Sequence, residues 1–536
     1  MSIWGKSISL EADTVYMKKQ SVKNNEYLGG IMEELYNNVT FSGDFGISSP
    51  QNVPYLKNPP EVIDVTVGRQ LFTDDFLVSK TELKPEYHAA KKYEGNPVLF
   101  AEKVWERETL PCACPKSGGV WFDEQDKIFK MWYEGGWLRR MCYAESKDGI
   151  NWTRPELDAN GTNIILPYEN FNDDVLDFNG VKYLRPDSTT VFIDYDCPED
   201  EKYKLFLRGP GAVFPGIVAV SADGINFKKF TATAPVGDRS TIFYNPFRKK
   251  WVFSIRQYWN GRTRNYVECD NLLTGAPWEE NNEHKWLCCD ELDTPMPYIR
   301  QNPELYNADC IGYESIMVGL FQILYGPENA VCEEYGVPKI TELMPMYSRD
   351  GYNFSRPSRK SIIGASLCGG TWDRGYVQSV GGTLIVNGDE LWIYYAAFGG
   401  DENLKGKQPW TVNGMYSNGA TGLAKMRRDG FVSVNGNGTL VTHKFTFKNK
   451  TDLYVNVDGT VSAEILSAEG KALAKSNVFS GNSTKAKLCF DSFNVSDLNN
   501  KVFRLKFNVD GKLYSFGFSD ENGDFGGAHA AGHYSL

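Results

Sequence analysis

At 536 residues the chain exceeds one ordinary domain, and 41% apolar with 14% aromatic content suffices for large cores. A net charge of −11 argues against a dedicated nucleic-acid binder or a partner of anionic membrane surfaces. It suits an enzyme of neutral or cationic small molecules, although a local arginine cluster can override net charge and admit an anion.

Residues 1–20 lack a basic region followed by an apolar run, so no secretory signal is read there. No run is long and apolar enough for a transmembrane helix. Eleven cysteines, including Cys112-Ala113-Cys114 and Cys288-Cys289, match neither a disulfide framework nor a zinc spacing. Reduced, mostly buried thiols in a cytoplasmic protein are the expectation. Residues 1–64 read as a polar N-terminal arm with a short helix near 30–36, ended by Asn58-Pro59-Pro60.

From Val67 the chain becomes a repeat of strands. Asp-Gly turns recur in Ser146-Lys147-Asp148-Gly149-Ile150-Asn151, Ser221-Ala222-Asp223-Gly224-Ile225-Asn226 and Ser348-Arg349-Asp350-Gly351-Tyr352-Asn353, with a weaker copy at Arg428-Asp429-Gly430. Asp270-Asn271-Leu272-Leu273 fills the long gap between the second and third. The Asp-Gly pairs suggest type I′ turns, whose two central residues need positive φ. Upstream of each tag lies an apolar strand pair, clearest at 128–133, 203–207, 251–255, 315–321 and 391–395. Repeated strands without helices mean radial blades. The expected fold is all-β: a five-bladed β-propeller over 65–435, then a C-terminal β-sandwich over 436–536 ending in a loose Gly/Ala/His tail.

In a propeller the innermost strand of each blade lines a central channel, and its first residues stand at the mouth. Blade 2 opens with Arg185-Pro186-Asp187-Ser188 and blade 3 with Gly237-Asp238-Arg239-Ser240. Blade 4 opens with Arg300-Gln301-Asn302-Pro303-Glu304, and blade 5 with Thr371-Trp372-Asp373-Arg374-Gly375-Tyr376. Blade 1, Pro111-Cys112-Ala113-Cys114-Pro115-Lys116, brings no acid. Converging carboxyls suit glycoside hydrolysis, which needs a proton donor on the leaving oxygen and a second carboxylate as base or nucleophile. Crowded acids separate each other's pKa values. Asp187, Asp238 and Glu304 are the candidate catalytic residues, with Glu304 the preferred donor and Asp373, Glu314 and Glu268 in reserve. Arg239, Arg374, Asp373, Glu314, Trp372, Glu134 and His88 are candidates for substrate contacts, and Trp137, Trp259 and Tyr376 could stack on sugar rings. The plainer reading is that entrance acids cap strands or pair with arginines across blades. The Asp123-Glu124-Gln125-Asp126 tip reads as solvated. The five histidines and the lack of a Walker or dinucleotide motif suggest no metal and no cofactor.

Asp238-Arg239-Ser240-Thr241 with Tyr244-Asn245-Pro246-Phe247, Tyr313-Glu314-Ser315 with Gly319-Leu320-Phe321-Gln322, Ser348-Arg349-Asp350-Gly351, and Gln378-Ser379-Val380-Gly381-Gly382 together resemble a bacterial glycoside-hydrolase-like family. That family is related to the fructan hydrolases of glycoside hydrolase family 32. The resemblance covers about 65–520 and implies the propeller and sandwich. The fructan hydrolases' Asn-Asp-Pro and Arg-Asp-Pro motifs are absent, with Asp74-Asp75 and Pro186-Asp187 as loose analogues. Glu268-Cys269 matches their Glu-Cys as a dipeptide. The expectation is a glycosidase of an oligosaccharide or small glycoside. The alternatives are a non-catalytic carbohydrate-binding propeller, or a transglycosylase or lyase on the same scaffold. A homo-oligomer is left open.

Overall fold

The computed structural model describes residues 32–166, 175–178, 181–184, 187–208, 214–279, 282–407 and 412–534. Arg185 and Pro186 of the blade 2 entrance, and the first residues of the expected N-terminal helix, lie outside them. Residues Glu33–Glu34 pair with Thr40–Phe41 as a small hairpin, not a helix. Tyr36 stacks on Phe247 at 4.4 Å, so the turn between the strands packs against blade 3.

Five sheets form the blades. Blade 1 is Ala113–Asp123, Ile128–Gly135, Arg140–Ser146 and Ile164–Leu166. Blade 2 is Ser188–Ile193, Tyr203–Arg208, Phe214–Ser221 and Lys228–Val236. Blade 3 is Thr241–Asn245, Lys250–Gln257, Thr263–Cys269 and His284–Leu287. Blade 4 contributes Glu304–Glu314, Ile316–Gly326 and Ile340–Ser348, its outer edge continuing only as bridges at Ser355 and Ile363. Blade 5 is built on Ile385–Asn387, Glu390–Phe398 and Gly419–Arg427, with Gly375–Gln378 also pairing its middle strand. Its outermost strand, Lys91–Lys92, comes from before blade 1, so the start of the repeat closes the ring. This covers an edge that would otherwise offer free N–H and C=O groups.

The tags clamp blade to blade. In each Ser-x-Asp-Gly-x-Asn unit the Asp carboxylate accepts from the two backbone N–H groups beyond the glycine and from the Asn side chain; for Asp148 these bonds are 2.9, 2.7 and 2.7 Å. Only the glycines, at φ +72°, +76° and +78°, take positive φ; the aspartates do not, so these are not type I′ turns. The aspartates serve as side-chain caps of the loop. The glycines are needed for close approach. A Cβ on Gly149 would strike Tyr394 of blade 5, and one on Gly224 would strike Trp132 of blade 1. The carbonyls there accept from Tyr394 Oη at 2.6 Å and Trp132 Nε1 at 2.7 Å. Each tag thus grips the preceding blade. The slot at Asp270 becomes the short helix Leu272–Gly275, capped by Asn271 and packed beside Phe206 of blade 2. Between blades lie aromatic layers such as Trp132 on Tyr203, 5.6 Å apart, with Trp132 fully buried. Truncating such a residue to Ala costs about 3–5 kcal/mol.

Asp123 corrects the expectation of a solvated tip. It is buried and binds Lys130 at 2.9 Å, Lys202 at 3.0 Å and Tyr203 Oη at 2.6 Å, tying blade 1 to blade 2.

Six C-terminal strands join four short ones from before blade 1, Val62–Asp64, Gln70–Leu71, Val78–Thr81 and Lys84–Tyr87, in one bent ten-stranded sheet, in which Asp452–Ser467 and Phe503–Ser519 run antiparallel along their whole length. Gly459 faces Gly511 in that pair, where a Cβ on either would meet the other strand's backbone. The folded sheet encloses Phe445, Phe503, Phe507, Phe516 and Phe518, as a sandwich does. Its apolar core is continuous with blade residues such as Phe243, Met317 and Phe321, and polar groups add to the contact: Asp429 takes Arg69 at 3.0 Å, Ser515 Oγ at 2.6 Å and the Tyr313 hydroxyl.

The tail is not loose. Ala528–His529 pairs with the end of the blade 4 inner strand, and His533–Tyr534 runs parallel to Ile385–Asn387. Between them Ala531 exchanges backbone bonds with Leu384 and Phe122. The tail therefore crosses the far ends of three inner strands, opposite the mouth. Among the described residues no helix is long and apolar enough to cross a membrane, and all eleven cysteines are unpaired, five of them buried.

Candidate active site

The inner strands of all five blades run from mouth to far end, so their first residues converge. Asp187 and Asp238 meet there, and the charge of Arg239 acts on both. Glu134 joins them from the second strand of blade 1. The inner strand of blade 1 supplies Lys116 through a wide bulge: Cys114 faces Glu134 and the next paired residue, Gly119, faces Trp132. The extra residues swing Lys116 into the channel. A Cβ on Gly118 would strike the Trp132 carbonyl, which is why the bulge carries glycine.

The Lys116 ammonium, 1% exposed, bonds Asp187 and stands 3.6 Å from Glu134 Oε2. It also lies 3.8 Å above the Trp137 ring, which is itself stacked on Tyr416 at 4.3 Å. Glu134 accepts the Leu138 N–H with its other oxygen. Asp238 pairs with Arg256. Deeper in, Asp309 accepts from Ser379 Oγ and from Asn307 Nδ2 at 2.9 Å. Tyr306 and Tyr376 share a hydrogen bond of 2.7 Å beneath Lys339, whose ammonium is 3.4 Å from the Tyr306 oxygen. Arg239 and Tyr376 hold positive φ of +60° and +49°, unusual for side chains of this size. Such strain gathers at functional sites.

These surroundings divide the carboxyls. Burial would raise Asp187, but Lys116 and then Arg239 reverse that and hold it below the ordinary carboxylate value. Burial, reinforced by the Asp187 charge, lifts Asp238 to about 6. Burial lifts Glu134 to about 7, against the pull of Lys116. Burial and then the neighbouring Arg256 drop the Arg264 guanidinium to about 9. The Tyr306 phenol is pulled down: burial opposes this, and Lys339 outweighs it.

Several expected residues lie elsewhere. Glu304 is at the rim, paired with Arg262. Glu314 ends the eleven-residue strand that Glu304 begins, roughly 33 Å away at 3.3 Å per residue, and binds Arg428 at 3.0 Å beside the C-terminal sheet. Asp373 pairs with Lys92 at 2.6 Å on the outer edge of blade 5, Arg374 with Glu402 at 2.6 Å, and Trp372 packs on Tyr395. Of the blade 5 entrance only Tyr376 enters the centre, because its backbone docks on the Lys339 carbonyl. His88 bonds Ser433 Oγ at 2.9 Å against the C-terminal sheet. Glu268 forms a bidentate pair with Arg248, at 2.6 and 2.9 Å, on the third strand of blade 3. Asp74 caps a short turn and pairs with Arg349 at 3.1 Å. Trp259 bonds Asn265 through Nε1, with the Lys285 ammonium 5.5 Å from its ring centre, and Trp137 is buried between Lys116 and Tyr416. Among the described residues no group of three His, Cys, Asp or Glu is placed to hold a metal ion.

Arg208 stands beside Asp187 and Asp238 and donates to the Val236 carbonyl at 2.9 Å. Lys116, Arg208, Arg256, Arg264, Tyr306, Lys339 and Asp309 were not singled out from sequence. One signal was there: Arg256, Arg262 and Arg264 alternate along neighbouring strands of blade 3, and Arg256 faces Arg264 directly. Like charges in register are unfavourable and ask for a reason.

No protein-family model matches the chain, and no curated protein does. Solved structures resemble it distantly. An N-acetylgalactosamine deacetylase from F. plautii is 15% identical, over 65% of this chain and 95% of its own, at a TM-score of 0.42. A family 32 β-fructofuranosidase from Bombyx mori is 10% identical over 81% and 93%, at 0.35. A β-1,2-mannobiose phosphorylase from Listeria innocua is 12% identical over 63% and 96%, at 0.40. At these identities and scores nothing about chemistry transfers from them to this chain.

Proposed function

We propose that the channel mouth is the active centre of a glycoside hydrolase acting on an oligosaccharide or small glycoside. The observation that carries this is the division between Asp187 and Asp238. Two carboxyls share one buried mouth; one is held ionised by Lys116 and Arg239, the other is lifted to about 6. Acetal cleavage needs one ionised and one protonated carboxyl together near neutral pH.

Asp187 is the carboxylate, acting as base or nucleophile. Asp238 is the proton donor: its side chain is 23% exposed, against 4% for Glu134, so a leaving oxygen can reach it. Glu134, closed in by Lys116 and the Leu138 N–H, supports Lys116. Glu304, tied to Arg262, becomes a rim residue rather than the donor. The five blades, held by residues 91–427, would form the catalytic unit, with the sheet built from strands between 62 and 87 and between 432 and 519 as its buttress. The test is a screen of aryl glycosides and oligosaccharides with the wild type, Asp187→Asn and Asp238→Asn. Turnover lost in both variants with the fold retained supports the assignment; near-normal turnover in both overturns it. Sugar binding without turnover in the wild type would favour a carbohydrate-binding propeller.

A further inference from the structure

Among the described residues, the mouth holds a buried cation with no hydrogen-bond acceptor. Arg239 is 1% exposed, and its Nε, Nη1 and Nη2 all lack a hydrogen-bond acceptor among the described residues. Its carbonyl accepts from Arg264 Nη1 at 2.7 Å, which ties down the backbone at this residue. A buried guanidinium ordinarily binds several acceptors, since its five donors cost most when left unmet.

The neighbours do not supply that acceptor. Asp187 is taken by Lys116, Asp238 by Arg256 and Glu304 by Arg262. Asp309 is held by Ser379 and Asn307. With Asp238 protonated as the donor, and beyond the Lys116–Asp187 and Arg262–Glu304 pairs, Arg208, Arg239, Arg256, Arg264 and Lys339 stand against only Glu134 and Asp309. Arg264 spends its donors on neutral carbonyls, those of Arg239 and Tyr306, and Lys339 faces phenol rings. The mouth is therefore locally cationic in a chain of net charge −11. A neutral sugar hydroxyl can accept a bond but cannot offset this charge. A carboxylate or phosphate does both, and its paired oxygens match the guanidinium fork.

We infer that the mouth binds an oxyanion on the Arg239 guanidinium, beside the Asp187–Lys116 pair. The anion is a carboxylate or phosphate borne by the glycoside, or free phosphate entering with it. This deepens the glycosidase reading by naming an acidic ligand, and it can be tested without turnover.

The experiment is titration calorimetry of the full chain with inorganic phosphate, glucuronate, a hexose phosphate and neutral glucose, at constant ionic strength in chloride. At least one of the three oxyanion ligands should bind at least about tenfold tighter than glucose. Arg239→Gln should weaken that ligand at least about tenfold, and Arg239→Lys, which keeps the charge but not the fork, should fall between. Binding of phosphate alone points to the free ion; binding only of glucuronate or the hexose phosphate places the anion on the sugar. Two results overturn the inference: no oxyanion binding by the wild type, or unchanged binding by a folded Arg239→Gln variant. Neutral glycosides cleaved without anion binding would sink this inference and leave the glycosidase standing. Anion binding without any glycoside cleavage would do the reverse.

Discussion

Replacing Lys116 with Met removes the charge that separates the two carboxyls. The ammonium is 1% exposed and bonds Asp187 directly. An opposite charge at such range shifts a carboxyl by about 1–3 pKa units, or about 1.4–4 kcal/mol. In Lys116→Met, Asp187 loses the strongest influence opposing its burial, and Glu134 rises further. Both then have folded pKa values above the unfolded carboxyl value of about 4. A group raised in this way stabilises fully below its unfolded pKa and loses that contribution as pH rises through its folded pKa. The stability deficit of the variant should therefore be small near pH 4 and widen towards pH 8. There it should approach the roughly 3–5 kcal/mol typical of a broken buried pair. Urea midpoints of both proteins from pH 4 to 8 check this without a substrate. With an active glycoside, the acid limb of kcat/KM should climb by about 1–3 units towards the Asp238 limb near 6, and the maximum should fall. A deficit independent of pH, together with an unmoved acid limb, would refute the claim that Lys116 keeps Asp187 ionised.

Asp238→Asn should cut kcat by about 10²–10⁴ on glycosides with poor leaving groups and far less on activated aryl glycosides, which need no proton. Equal losses on both would remove Asp238 from the donor role. Asp123→Asn, remote from the mouth, leaves Lys130 and Lys202 short of a buried counter-charge. It should cost about 3–5 kcal/mol in urea unfolding while turnover per folded molecule stays unchanged. Asp429 sits at about 2: burial is outweighed by Arg69 and Arg428. Its stabilising contribution is present above about pH 4 and lost as pH falls towards 2. Asp429→Asn should flatten the acid arm of the wild-type stability curve, measured as melting temperature between pH 2 and 6.

The propeller was legible because its signals are local. The Ser-x-Asp-Gly-x-Asn units repeat, and each makes the same side-chain caps whatever it packs on. Asp187 and Asp238 were legible for a related reason: a residue that begins an inner strand must stand at the mouth. The rule failed where strands depart from the ideal. Lys116 needs a bulge whose size only the pairing with Glu134 and Trp132 reveals. Asp373 and Arg374 precede an inner strand that docks late, so they point outwards. Asp123 looked like a solvated tip because Lys202 and Tyr203, which bury it, belong to the next blade.

The cations were missed because charge was weighed over the whole chain instead of along strands. Arg256 opposite Arg264 is a costly pairing in any sheet, and burial first, then that neighbouring charge, drop the Arg264 guanidinium to about 9. A centre selected for stability would replace such a pair with apolar residues of similar size. Its presence beside acids pushed towards neutral pH has a chemical logic. Burial alone would protonate every carboxyl in the mouth and leave no base. Lys116 and Arg239 lower Asp187 selectively, while Asp238, raised partly by that same Asp187 charge, stays a donor. The cation excess and the divided acids are thus one arrangement: the field that ionises Asp187 is not used up by it, and the remainder, concentrated on Arg239, is directed at the ligand.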